Sequence, residues 1–209
     1  MSLPIEVLSA FILASAVLCV MPGPDNLFVL SQSAIYGKKS GIFVTLGLCL
    51  GLLVHTFVVA MGLAVVIQSS PMALLLIKFA GAGYLLYLAW QAFRAEVVDE
   101  STATANTVSN TAMLRRGIIM NISNPKVSIF FLAFLPQFTS ADYGAIAPQL
   151  VFLGGVFILV TLGVFSSFAL MSGLLRNMFR TKPKAQLYIN RGAGLVLTIL
   201  ALTLVSSNL

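Results

Sequence analysis

Five side chains able to carry charge fall within or beside long apolar runs: Glu6, Asp25, His55, Lys78 and Lys126. A charge at the centre of a membrane span costs at least about 2.5–3.5 kcal/mol on insertion scales, so one retained there needs a partner, a cavity or a task. Glu6 stands near the end of its run, and Lys78 is about two turns from the end of its own, so both can reach the interface. Asp25 and Lys126 have no such exit. Asp25 closes the stretch Met21-Pro22-Gly23-Pro24-Asp25-Asn26, and Lys126 closes Asn121-Ile122-Ser123-Asn124-Pro125-Lys126. Prolines remove backbone N–H groups in both stretches, so each apolar run must break there. Asp25 and Lys126 then occupy the first turns of half-helices that start inside the membrane, where unpaired N–H groups favour anions. Asp25 suits that position, whereas Lys126 is opposed by the macrodipole, by about 0.3–1 kcal/mol at exposed sites and more when shielded.

An anion should therefore compensate Lys126. Asp25 would make the two a structural ion pair; a substrate carboxylate would make them a binding site. An amino acid zwitterion satisfies both ends, with its carboxylate toward Lys126 and the free N–H groups and its ammonium toward Asp25. On that reading Pro22, Gly23, Pro24, Asp25, Asn26, Asn121, Asn124, Pro125 and Lys126 form the substrate site, and the three asparagines have capping of the breaks as their alternative role. His55, the single histidine, lies near the middle of its run. An ordinary imidazole pKa of about 6.5 suits a proton relay, with a neutral imidazole bonded across helices as the other reading.

The elements that must position these residues are membrane helices. With 59% hydrophobic and 9% charged residues among 209, there is too little polar surface to face water, so lipid is the expected solvent. The apolar runs read as six spans at residues 4–36, 41–68, 72–93, 114–138, 149–175 and 187–204, the first and fourth broken. The first run lacks the basic start of a secretory signal and is expected to remain as a helix. Gly47, Gly51 and His55 recur every four residues, which gives the second span a face for close helix approach. Residues 1–93 and 114–209 make two three-helix units, and the polar stretch 94–113 is the linker between them. The turn at Gly37-Lys38-Lys39-Ser40 and a basic loop at 176–184 complete the map.

Ten of the twelve Lys and Arg fall on one side of these spans and none on the other, so that side is expected to be cytoplasmic and both termini outside. Three spans per unit force the two units into opposite orientations. Matched breaks in inverted halves are the pattern of a secondary transporter.

Other chemistries find little support. The basic residues lie in separate short loops and make no nucleic-acid patch. No glycine loop cradles phosphate, and one histidine without clustered cysteines is no metal site, so no cofactor is expected. A Ser-His-Asp arrangement around His55 and Asp25 has no supporting spacing. Cys19 and Cys49 lie within apolar runs, as small buried residues. A transmembrane thiol relay through them is the alternative function, and a scaffold without transport would leave Lys126 unexplained.

Pro22-Gly23-Pro24-Asp25-Asn26, then Gly41, Gly47 and Gly51, the stretch Gly83-Tyr84-Leu85-Leu86-Tyr87-Leu88, Gly117 through Asn121 to Asn124-Pro125-Lys126, and Phe134-Leu135-Pro136-Gln137-Phe138 together resemble the LysE/RhtB family. The resemblance covers nearly the whole chain. It implies an exporter of an amino acid or close derivative in the bacterial inner membrane, driven by the proton motive force and assembled as a homo-oligomer; of the residues in the spans, Asp25 or His55 is the expected proton carrier.

Overall fold

The computed structural model describes residues 3–21, 23–63, 71–94, 109–181 and 183–206, and every regular element among them is helical. Pro22, the expected end of the second span at 64–68, and linker residues 95–108 lie outside the described residues. Helices α1 (Ile5–Val20) and α2 (Pro24–Tyr36) flank the first break; α3 (Lys38–Val58) continues through a π-helical turn at Val59–Leu63, and α4 is Pro71–Arg94. In the second half α5 (Asn110–Ile122) and α6 (Pro125–Ile129) flank the other break. Helix α6 runs on as a π turn at Phe130–Phe134 and a 3-10 turn at Leu135–Phe138, and a further short turn at Ala141–Tyr143 leads to α7 (Ile146–Thr181) and α8 (Pro183–Ser206).

Proline decides where α2 and α6 begin. Pro24 and Pro125 stand in the first turns, where a missing N–H costs nothing. The axes bend by 58° between α1 and α2 and by 51° across the second break. Among the described residues, Lys38–Gly62 and Ile146–Leu174 are long and apolar enough to cross a bilayer, and each bent pair supplies a further span if it crosses as one.

Hydropathy placed several ends wrongly. Lys38, Lys39 and Ser40 are the first turn of α3, not a turn between helices, and Gly37 alone reverses the chain with φ +89°, a conformation that favours glycine. Helix α7 continues to Thr181 through what reads in sequence as a basic loop, because arginine ends an apolar run without ending a helix. Helix α5 starts at Asn110, four residues before the apolar signal, because the Ser109 hydroxyl accepts the Ala112 N–H at 3.2 Å and caps it.

The glycine face of α3 meets α5. A methyl group added at Gly47 would run into the Leu114 carbonyl and stand 3.0 Å from the Gly117 Cα, while one at Gly51 would stand 2.7 Å from Asn121. Around this crossing α7 packs against α1, α2 and α3, and α4 packs along α8. The outside is apolar: Leu13, Phe57, Leu159 and Leu174 are each about two-thirds exposed. The buried set includes Asp25, Asn26, Asn121, Asn124 and Lys126. This is the reverse of a water-soluble fold and fits a lipid surround. Trp90 lies half-exposed with the Arg94 guanidinium 4.7 Å from its ring centre, as at a membrane interface.

Gly47→Ala is expected to lower the melting temperature of the detergent-solubilised protein, since overpacking a close crossing costs about 1–3 kcal/mol. Gly83→Ala, which meets nothing within 4 Å, is expected to leave it unchanged or raise it slightly. Equal melting of the two variants would contradict the close α3–α5 approach.

Candidate functional site

The site begins with a backbone problem. Helix α1 ends inside the apolar body, and its last carbonyls need partners that a continuing helix would have supplied. The Val17 carbonyl accepts the Met21 N–H at 2.9 Å. Asn26 donates its side-chain amide to the carbonyls of Cys19 and Val20, at 2.6 and 3.2 Å. The Lys126 ammonium, reaching across from α6, donates to the carbonyls of Leu18 and Met21, at 3.1 and 3.3 Å. Every carbonyl from Val17 to Met21 is therefore satisfied, and one cation does part of that work from the other half of the chain. Gly23 admits it: a methyl group there would sit 3.0 Å from the Lys126 Nζ.

The second break is closed differently. Asn124 accepts the Lys126 N–H on its side-chain oxygen at 3.0 Å, and its main-chain carbonyl accepts the N–H groups of Val127 and Ser128, each at 3.1 Å. The N-terminal end of α6 thus has no N–H left for a ligand in its first turn. On the other side of that break the His55 ring nitrogen Nε2 lies 3.2 Å from the Asn121 carbonyl and must donate to it, which fixes the proton on Nε2. Helix α2 contrasts with α6: Gly23 at its start offers no side-chain cap, so its first N–H groups remain open to an anion.

Asp25, Asn121 and Lys126 line one small buried pocket with Cys19, Leu18, Leu52, Val127 and residues of α7, a space with room for about one water molecule. Within or beside it, side-chain oxygens of Asp25, Asn26 and Asn121 (Oδ1 in each) are buried without a hydrogen-bond partner, as is the Asn124 amide nitrogen. Buried polar atoms left unpaired cost about 1–3 kcal/mol each, so a water or a polar group entering the space would find partners there. Three unpaired acceptors suit an ammonium group. The anion-receiving elements beside them are the α2 N-terminus and the one N–H of Lys126 not spent on α1. A cluster of phenylalanines packs nearby: Phe130 lies tilted against Phe134 and Phe157, at 4.9 and 5.1 Å between ring centres, and Phe11 meets Phe138 at 5.1 Å.

The structure brings Asp25, Asn121 and Lys126 into one cavity. It turns Asn26 toward α1, spends Asn124 on capping α6, uses Pro24 and Pro125 as helix starts, and places Pro22 outside the described residues. Lys126 finds its compensation in helix carbonyls, a partner that the sequence gives no reason to name. Glu6 is exposed, and the Lys78 side chain lies outside the described residues. Cys19 and Cys49 are separate buried thiols. Among the described residues no group of His, Cys, Asp and Glu is arranged to hold a metal. Phe157, Thr161 and Phe165 also line the void and were missed; their only sequence signal is four-residue spacing within an apolar run.

The family model for the LysE type translocator matches residues 16–208. An uncharacterised membrane protein of Vibrio cholerae is 33% identical over 134 residues, which are 64% of this chain and 65% of that protein. The homoserine/homoserine lactone efflux protein of Salmonella typhimurium is 28% identical over 198 residues, 95% of each chain. The leucine efflux protein of Enterobacter sp. is 26% identical over 198 residues, 94% of this chain and 93% of that one. No solved structure matches. With both breaks, the glycine crossing and the buried polar cluster inside the matched span, the chain belongs to the LysE type translocator family, whose members are membrane transporters and not enzymes.

Proposed function

We propose that this protein exports an amino acid or close derivative from the cytoplasm, and that the substrate binds between the two helix breaks. The observation that carries the reading is one buried pocket lined by Lys126 and by Asp25 and Asn121, which bear unpaired acceptors, beside the uncapped start of α2. A zwitterion divides between them: its ammonium goes to Asp25 and Asn121, and its carboxylate to the α2 N–H groups and the remaining N–H of Lys126. Two relatives named as efflux proteins for homoserine and its lactone and for leucine support the substrate class and the direction.

Alternating access supplies the route. Each half contributes a bent pair, a long helix and a further helix, and the like-numbered helices of the halves meet, α3 with α7 and α4 with α8. This arrangement favours six spans in two inverted repeats, with 1–93 and 114–209 as the repeats and 94–113 as the cytoplasmic linker. The exposed Lys38, Lys39, Arg115 and Arg116 lie at one end of the bundle and would face the cytoplasm, leaving both termini outside the bacterial inner membrane. The pocket is too small for any amino acid, so in this scheme rocking of the halves enlarges it and opens it to each side in turn. The exposed apolar helix faces leave room for a homo-oligomer in the bilayer.

Asp25 is the proton carrier in this scheme. Its carboxylate holds a substrate ammonium or a proton, and exchange of one for the other couples export to proton entry. One charge crossing 100 mV is worth about 2.3 kcal/mol and each ~1.4 kcal/mol is tenfold, so one proton sustains a gradient of roughly fifty-fold. His55 holds the Asn121 carbonyl, and so positions a ligand of the site. No observation favours the thiol relay.

Export from cells preloaded with radiolabelled amino acids tests the reading. Wild type is expected to export at least one in a manner abolished by an uncoupler. Asp25→Asn is expected to reduce that export by about tenfold or more. Lys126→Met is expected to lower both export and the melting temperature, since it strands two buried carbonyls at about 1–3 kcal/mol each. His55→Gln, whose amide can still donate to Asn121, is expected to keep uncoupler-sensitive export. Export unchanged in Asp25→Asn would remove Asp25 from the mechanism.

A further inference from the structure

Asp25, Val29, Gln32 and Tyr36 follow one another at intervals of three and four residues and so lie along one stripe of α2. Asp25 lines the pocket between the breaks. Gln32 comes seven residues later, about 10 Å along the axis at 1.5 Å per residue, in the direction of Lys38 and Lys39. The stripe is buried from Asp25 through Gln32 and partly exposed at Tyr36, the last residue of the helix. Gln32 is 9% exposed, and its Oε1 is buried without a hydrogen-bond partner. The other buried glutamine among the described residues behaves differently. Gln149 gives its amide nitrogen to the carbonyls of Ser140, Gly144 and Ala145, at 2.8 to 3.3 Å, and accepts the Ser140 N–H on Oε1 at 3.1 Å. Gln149 thus holds a loop with both ends of its amide, whereas the Gln32 oxygen holds nothing, and an apolar residue of similar size would strand no acceptor there. The packing beside Gln32 is close. A methyl group on Gly41 of α3 would run into the Ser33 hydroxyl and stand 2.9 Å from the Ala169 side chain of α7, so α2, α3 and α7 converge at this level.

We infer that Gln32 is a second ligand for the substrate ammonium, a station on the cytoplasmic side of Asp25 where an entering amino acid rests before Asp25 receives it. The inference rests on the export reading, which supplies the substrate and puts Lys38 and Lys39 at the cytoplasmic end. An amide oxygen suits the task. It accepts a hydrogen bond from an ammonium but carries no charge, so it holds the group more weakly than a carboxylate does and lets it pass on. Separation of α2 from Gly41 and Ala169 is then the movement that bares Gln32 to the cytoplasm.

In a Cys19→Ser, Cys49→Ser background, Gln32→Cys carries the only thiol of the chain. A membrane-impermeant methanethiosulfonate reagent is added to inside-out vesicles, which present the cytoplasmic face, and to right-side-out vesicles. The thiol is expected to react in the inside-out vesicles alone. The reaction is expected to be slowed by whichever of homoserine, leucine, threonine and lysine the wild type transports, and not by butyrate, which has no ammonium. Transport into inside-out vesicles gives a second reading. Gln32→Met removes the acceptor at similar size and is expected to raise KM about tenfold, the size of one hydrogen bond to a charged group, with the maximal rate kept. Gln32→Glu keeps an acceptor and is expected to hold KM at or below the wild-type value while lowering the maximal rate, because a carboxylate releases the ammonium more slowly. A thiol reached from the outer face or from neither, protection by butyrate, absence of protection by a transported amino acid, or an unchanged KM in Gln32→Met each overturns the inference and leaves the export reading intact. If wild-type vesicles move no amino acid, the export reading falls and this inference with it.

Discussion

The closing of α1 by Lys126 and Asn26 is the constraint on which the rest of the structure depends. A helix that stops within a lipid-surrounded body must not leave its carbonyls bare, and here water is not at hand to satisfy them. Asn26 meets the need locally, from the first turn of α2, whereas Lys126 meets it from α6, about a hundred residues away in sequence. The two halves are thereby joined at their breaks by a cation on the negative end of a helix, the favourable sense of the macrodipole. The unfavourable position of Lys126 at the start of α6 is offset in the same step. The contacts there are two long-range hydrogen bonds and not a packed interface.

The two helix starts at the breaks are chemically unlike, and that difference gives the cavity its polarity. Asn124 consumes the first-turn N–H groups of α6, and Gly23 leaves those of α2 uncapped while making room for the ammonium. Unpaired side-chain acceptors and uncapped backbone N–H groups consequently sit side by side near α2, instead of one kind at each break. The π turns at Val59–Leu63 and Phe130–Phe134 meet each other close to His55 and the phenylalanine cluster. Single π turns within α-helices are rare and occur frequently at functional sites.

Much of this was legible in the sequence, and the reasons are local. Proline removes an N–H whatever surrounds it, so Pro24 and Pro125 announced both helix starts. The spacing of Gly47, Gly51 and His55 announced the face that meets α5, and the cost of charge in lipid singled out Asp25 and Lys126. Partners set by three-dimensional placement were not legible. Nothing in the order of residues says that Lys126 reaches the Leu18 and Met21 carbonyls, or that Asn26 turns back toward α1 while Asn124 caps forward. Helix ends at Ser109 and Thr181 depend on a cap and on helix propensity, to which hydropathy is blind. The α7 wall of the cavity was invisible because Phe157, Thr161 and Phe165 are ordinary residues of an apolar helix until something packs opposite them.

The central claim is that a substrate occupies the void between the breaks, and Cys19 lies in its wall. In a Cys49→Ser background Cys19 is the only thiol of the chain, and the most direct measurement is its rate of modification by a small methanethiosulfonate reagent in membrane vesicles. The account predicts slow modification, limited by the burial of Cys19, and protection by a saturating transported amino acid but not by one that is not transported. A rate that stays the same with and without a transported amino acid would contradict it.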